Sequence, residues 1–228
     1  MPVVERFVSV NGEGLRAGQL AAFIRLKGCN LHCSYCDTTW ANEADCPCEQ
    51  QTVGDLVDWV RSTGVQCVTL TGGEPLLHHA AVDLIGALLQ VKDLWVEVET
   101  NGTVDLAPAA EMRNRYKGMF KGGLHFTMDV KMPGSGEWGS VFAPNFKLLQ
   151  PDDVVKMVVG DHQDLGVALD LIKEHEELRH RNRVLLSPVF GRIEPADIVE
   201  FMKRNDLTNV RLQLQMHKVI WPPDARGV

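Results

Sequence analysis

Long hydrophobic runs are missing from this 228-residue chain. None approaches the roughly 20 apolar residues that span a bilayer, and no basic segment followed by an apolar stretch opens the N-terminus. These absences predict a cytoplasmic protein with no membrane partner. A surplus of positive charge is missing too. Lysine and arginine total 23 against 30 acidic residues, a formal net charge of −7. That balance argues against an extended surface for neutralising nucleic-acid phosphates. Internal repeats, low-complexity tracts and long linkers are also lacking, so residues 1–228 read as one domain.

What is present is a chain that is 45% hydrophobic, long enough to bury a substantial core. Short Val- and Leu-rich runs predict strands at Ala21–Leu26, Val65–Leu70, Leu94–Glu99, Leu124–Val130, Val154–Val159, Val184–Val189 and Val210–Gln215. Helical patterns lie between them. Thr52 reads as a cap before Leu56, Val57 and Val60, and Pro195 as a first helical residue before Ile198, Val199 and Met202. Ala80–Gln90 and Leu165–Leu178 carry apolar residues three and four apart. The run 174–183 reads as a solvated helix end, with acids preceding bases. Such alternation predicts an α/β fold with a parallel sheet. A closed eightfold barrel takes about 250 residues, so about six βα units in an open, partial barrel fit this length better.

Six cysteines without a secretory leader are not expected to pair as disulfides. Five lie between Cys29 and Cys48, and crowding of that kind points to a metal or a cluster. Cys29, Cys33 and Cys36 follow the first core strand, with three and then two residues between them. Three thiolates on one loop can hold an iron–sulfur cubane and leave its fourth iron open to another ligand. A zinc site completed by Cys46, Cys48 or His32 is the plain alternative. Cys67, in an apolar strand, reads as core, and His78 and His79 as surface residues.

Three predicted strands end in polar residues. Thr71-Gly72-Gly73-Glu74-Pro75 follows one, Glu97-Val98-Glu99-Thr100-Asn101-Gly102 closes another, and Met128-Asp129-Val130-Lys131 a third. Parallel sheets bind ligands at these carboxyl ends, and glycines there let the backbone approach a ligand closely. Asp129 and Lys131 are two apart and share a face. Lys156 lies within an apolar strand and needs a partner, either a ligand or a structural ion pair. The same choice applies to Arg25, set among Phe23, Ile24 and Leu26: a fork for a substrate carboxylate, or a salt bridge.

The Cys-x3-Cys-x2-Cys spacing, with Tyr35 before the last cysteine, resembles the signature of the radical S-adenosylmethionine (SAM) superfamily. The resemblance implies a 4Fe–4S cluster on Cys29, Cys33 and Cys36, in a loop at about 27–40, with SAM on the open iron. Gly73, Glu74, Glu99, Asn101, Asp129, Lys131 and Lys156 are then implied to contact SAM. A closer resemblance covers essentially the whole chain. The Asn11-Gly12-Glu13-Gly14 start, Arg25, Cys36-Asp37-Thr38, the three strand ends, Pro133-Gly134-Ser135-Gly136 and the Gln215-Met216-His217-Lys218 to Ala225-Arg226-Gly227-Val228 ending resemble the 7-carboxy-7-deazaguanine synthase family. That family implies a lyase of queuosine biosynthesis acting on a carboxylated tetrahydropterin, usually dimeric, with a flavodoxin- or ferredoxin-type electron donor. It implies Mg²⁺ at Thr38, and substrate contacts from Asn11, Gly12, Glu13, Arg25, Thr71 and His217. Many members carry Gln where this chain has Asn11, and Ser-Pro where it has Asp129-Val130. The latter variant also occurs in activases of glycyl-radical enzymes, which form the second functional reading. A non-catalytic zinc module is the third.

Overall fold

The computed structural model describes residues 1–179, 184–223 and 225–228. Its nine described strands form one sheet: β1 (Pro2–Val10), β2 (Leu20–Leu26), β3 (Glu49–Gln50), β4 (Cys67–Gly72), β5 (Trp95–Thr100), β6 (Gly123–Lys131), β7 (Val154–Val159), β8 (Val184–Pro188) and β9 (Val210–Leu212). They run in the order β3-β1-β2-β4-β5-β6-β7-β8-β9. From β2 to β9 every neighbouring pair is parallel, giving six crossovers, while β1 and β3 add an antiparallel edge. The sheet is not closed on itself, as expected for a partial barrel.

Helices cover the outer face: α1 (Val53–Thr63), α2 (Ala80–Leu88), α3 (Ala107–Tyr116), α4 (Asn145–Leu148), α5 (His162–Glu174), α6 (Glu176–Arg179) and α7 (Pro195–Arg204), while the short α8 (His217–Ile220) begins at the cleft. None is long and apolar enough to cross a membrane. Local chemistry sets their ends. Thr52 and Asp55 exchange hydrogen bonds as a capping box, and Gly64 closes α1 with a φ of 69°. Strand alternation divides the core. Ile24, Leu70, Val98, Phe126 and Met157 pack outward under the helices. Their neighbours Arg25, Thr71, Glu99, Asp129 and Lys156 line the concave side at the strands' carboxyl ends. Nearer the amino ends, Ala21, Phe23, Cys67, Phe7 and Trp95 form a small apolar cluster. The fold thus places a polar mouth above an apolar floor.

Several boundaries differ from the sequence pattern for physical reasons. The last strand stops at Leu212, not Gln215, because the Gln213 amide pairs with Gly14, accepting from its N–H at 2.8 Å and donating to its carbonyl at 3.1 Å. The predicted helix Leu165–Leu178 breaks at His175, whose extended backbone lets its ring pack 4.4 Å from that of Phe146. Residues 180–183 of the predicted solvated helix end, and Asp224 of the tail, lie outside the described residues. His78 is more than a surface residue: its Nε2 lies 2.7 Å from the Lys27 carbonyl, beneath the cysteine loop.

Candidate functional site

A cleft of about 370 Å³ opens at the strand carboxyl ends. That volume falls in the range of small-molecule sites. The cysteine loop forms one wall and is held by backbone bonds. Its Ser34 N–H donates to Ser135 O at 2.8 Å, and its His32 N–H to the Glu137 carboxylate at 2.6 Å. Asp164, fully buried, accepts from Gly134 N–H and Gly160 N–H at 2.8 Å each, fixing the segment on which the loop rests. From below, Gly73 N–H reaches Leu26 O at 3.2 Å and Glu74 N–H reaches Gly28 O at 2.8 Å. A Cβ at Gly73 would run into the Gly28 carbonyl and the Asn42 side chain. Gly73→Ala is therefore expected to cost about 1–3 kcal/mol, by analogy with overpacked cores. It should also lower iron content after anaerobic reconstitution, read as iron per chain alongside thermal melting.

Cys29, Cys33 and Cys36 are free, half-buried and on one side of the cleft. Cys29 Sγ accepts from Leu31 N–H at 3.4 Å and Asn101 Nδ2 at 3.6 Å. Burial pushes the Cys33 thiol up to about 11 and raises that of Cys36. Iron binding would expel those protons. Among the described residues, no three His, Cys, Asp or Glu side chains converge on a point that could hold a single metal ion. A cubane spreads its thiolates over separate irons and needs no such convergence, whereas zinc requires four ligands on one ion. The donor set fits the cluster. Cys46 is buried and Cys48 exposed, and neither lines the cleft.

The other wall is a row of paired charges. Lys131 Nζ lies 2.9 Å from Asp129, and Lys156 Nζ bridges Glu13 at 2.9 Å and Asp129 at 3.4 Å. Thr71 Oγ1 donates to Glu99 at 2.7 Å. Burial opposes the Asp129 charge, but Lys131 and Lys156 outweigh it and hold its carboxyl below the usual range. Burial pushes Glu99 up, even though Lys156 counters it. Arg25 Nε donates to Glu5 at 2.7 Å, so the alternative of a salt bridge is realised, while Arg25 also lines the cleft. Burial lowers the His217 pKa. Its ring closes over the N-terminal loop, where a Cβ at Gly12 would sit 2.9 Å from Nδ1.

The residues predicted from sequence therefore gather at one cleft: Asn11, Gly12, Glu13, Arg25, the three cysteines, Thr38, Thr71, Gly73, Glu99, Asn101, Asp129, Lys131, Lys156 and His217 all line it. Glu74 does not. Its carboxylate is buried and accepts from Leu76 N–H at 3.0 Å, Asn101 N–H at 2.6 Å and the Thr100 hydroxyl at 3.0 Å. It ties the end of β4 to the end of β5, and its oxygens are not free for a ligand's ammonium. Glu97 was missed by sequence reasoning, although it lies two residues before Glu99 on the same strand face. Burial, then Glu99, pushes its carboxyl up to about 7. The terminal residues Pro223 and Ala225–Val228 also line the cleft, with Arg226 stacked 4.1 Å over the Trp40 ring.

Buried acceptors complete the geometry. Asn11 Oδ1, Glu13 Oε1 and Asp129 Oδ1 accept no hydrogen bond from within the described chain. Such atoms are costly unless a ligand supplies donors.

The Radical SAM superfamily model matches residues 23–133. The fold resembles the crystal structure of QueE from Escherichia coli, with a TM-score of 0.66 and 21% identity, covering 94% of this chain and 93% of that one. It also resembles native anSMEcpe with bound AdoMet, at a TM-score of 0.56 and 16% identity, over 84% of this chain and 62% of that one. The fold is that of these structures, and the matched residues 23–133 carry the cysteine loop; the radical SAM class implies a 4Fe–4S cluster and SAM. Full-length relatives narrow the class. The chain is 48% identical to the 7-carboxy-7-deazaguanine synthase of Clostridium acetobutylicum, over 99% of this chain and 98% of that protein. It is 38% identical to that of Chlorobaculum tepidum, over 99% and 96% respectively. The chain belongs to the 7-carboxy-7-deazaguanine synthase family.

Proposed function

We propose that this protein converts 6-carboxy-5,6,7,8-tetrahydropterin to 7-carboxy-7-deazaguanine with loss of ammonia, a step of queuosine and other 7-deazapurine biosynthesis. The observation that carries the reading is the joining of the three thiols to a pocket whose orphaned acceptors complement a pterin. The guanidine-like edge of that ring presents N–H donors, which Asn11 Oδ1 and Glu13 Oε1 would accept.

When bound, the cluster and SAM supply a 5′-deoxyadenosyl radical for hydrogen abstraction; everything else is positioning and exclusion of water. Cys29, Cys33 and Cys36 would hold three of the four irons. Gly73, Glu99, Asn101, Asp129, Lys131 and Lys156 would surround SAM, and Asp129 Oδ1, unpartnered in the described chain, would accept from it. Glu74 acts at one remove, by fixing Asn101. Arg25 spends Nε on Glu5 and lines the cleft, where its remaining guanidinium nitrogens would take the substrate carboxylate. Gly12, Thr71 and His217 frame the ring. Thr38 offers one hydroxyl to Mg²⁺, whose shell substrate and water would complete. Residues 1–228 act as one radical SAM domain in a cytoplasmic homodimer, reduced by a flavodoxin- or ferredoxin-type donor.

The Asp129-Val130 variant is shared with the first rival, but the geometry of the cleft favours neither rival reading. An activase of glycyl-radical enzymes needs an open docking face over the cluster, whereas here the tail and Trp40 narrow a cleft of small-molecule size. The test is anaerobic reconstitution, then addition of SAM, a strong reductant, Mg²⁺ and the carboxytetrahydropterin, with products followed by mass spectrometry. Appearance of 7-carboxy-7-deazaguanine is expected. Deoxyadenosine without it would keep the radical chemistry and sink the substrate.

A further inference from the structure

Glu97 lies just beneath the cleft without lining it, a buried acid with no ion pair of its own among the described residues. One oxygen accepts from Thr127 Oγ1 at 2.6 Å. The other accepts from Asn11 Nδ2, also at 2.6 Å. The N-terminal loop rests directly on this carboxylate, since a Cβ at Gly14 would strike Glu97 Oε1.

An amide has a donating end and an accepting end, and its surroundings decide which way it turns. An ionised carboxylate has no proton to give, so only the nitrogen of Asn11 can face it. The oxygen must then point the opposite way. That oxygen is the orphaned, buried acceptor of a residue that lines the cleft.

Building on the substrate reading above, we propose that Glu97 is a positioning residue that fixes the Asn11 amide with its oxygen toward the pterin. It selects a ring edge rich in N–H donors without touching the ring. A ligand presenting an acceptor at that place would meet like polarity and leave both groups unpaired, an arrangement that rejects ligands strongly. Thr127 holds the carboxylate from the far side, so the polarity of the subsite is set by a chain running Thr127, Glu97, Asn11, ligand.

The test is a polarity swap, assayed at about pH 8, above the Glu97 pKa of about 7. In Glu97→Gln the new amide can donate, so Asn11 is released to present its nitrogen. KM for the carboxytetrahydropterin should rise about 10-fold or more, the cost of one mismatched buried hydrogen bond. SAM cleavage measured without pterin, as deoxyadenosine released, should stay within about twofold of the wild-type rate, because no SAM-facing residue is altered. Asn11→Asp sets two carboxylates against each other and should also raise KM. The double variant Glu97→Gln, Asn11→Asp restores complementarity: the introduced glutamine donates to the introduced aspartate, whose second oxygen faces the cleft. Its KM should return to within about threefold of wild type, the coupling a double-mutant cycle is built to detect.

An unchanged KM in Glu97→Gln overturns the proposal. So does a double variant no better than the worse single one, or pterin-free SAM cleavage that falls in step with product formation. Absence of product from the wild-type protein would instead remove the substrate reading, and this inference with it.

Discussion

Replacing Cys33 with alanine is expected to yield a folded, colourless protein that releases neither deoxyadenosine nor product. Cys33 Sγ makes no hydrogen bond among the described residues, so the loop does not depend on it. The backbone bonds from Ser34 to Ser135, from His32 to Glu137 and from Cys36 N–H to Cys33 O survive the change. Metal-free Cys33→Ala should therefore unfold within about 0.5 kcal/mol of the metal-free wild type, as is usual away from tight packing. Loss of one thiolate leaves two, too few to retain a cubane that must also keep one iron open. Iron content and the visible absorption of the reconstituted protein read the first effect, and mass spectrometry the second. A zinc module folded around its metal would behave otherwise, because losing a ligand there removes folding energy itself. Retained colour with full deoxyadenosine release would mean that the loop does not hold the cluster.

The parts of the fold that could be read in advance are those where one signal dominates. β7 is apolar throughout apart from Lys156 and buried on both faces, and its limits, Val154–Val159, coincide with the sequence pattern. α1 announces itself through the Thr52 cap and the apolar Leu56, Val57 and Val60. The parts that could not be read are those where tertiary partners override local signal. β1 carries Glu5 and Arg6 in mid-strand, and its pairing with β2 and β3 and the Glu5–Arg25 bridge make it a strand. α3 is polar, and its Arg113 is buried against Asp153 at 2.7 Å, so the residue that anchors it reads from sequence as solvent-facing.

The site divides the same way. Alternation along a strand placed Asp129 and Lys131 on one face, because a period of two is a local property, and the strand-end position of Thr71 and Glu99 put them at the same mouth. Glu97 obeys the same alternation, yet nothing local distinguishes a residue at the cleft from one a layer below it. Glu74 shows the converse. Its motif marks it as a contact, but the turn after β4 carries its carboxylate under Asn101. Side-chain rotation, as opposed to strand face, is decided by neighbours distant in sequence.

Lys156→Met is the second large effect, and it falls on stability as well as activity. Lys156 is the cation between Glu13 and Asp129, its side chain is only 10% exposed, and Glu99 adds to the field that holds its pKa well up against burial. Methionine fills similar space without charge. Glu13 then loses the ammonium it pairs with, its Oε1 being already unpaired, and Asp129 keeps Lys131 alone among the described residues. Breaking a buried pair from one side costs about 3–5 kcal/mol. For a chain of this size that is a fall in melting temperature of roughly 10 °C. Its pH dependence identifies the cause. A lysine with a raised pKa contributes fully below its unfolded value of 10.5, so the wild-type contribution is intact across the neutral range. In the variant the cost lies in uncompensated carboxylates. Glu99, already pushed up by burial, loses the cation that lowers it and binds a proton more readily folded than unfolded. Such a group stabilises the fold as pH falls, so the deficit of Lys156→Met should be largest near neutrality and narrow toward about pH 5. Urea unfolding at a series of pH values measures it directly. A deficit that stays constant over that range would mean that packing of the lysine stem, and not its charge, supports the cleft.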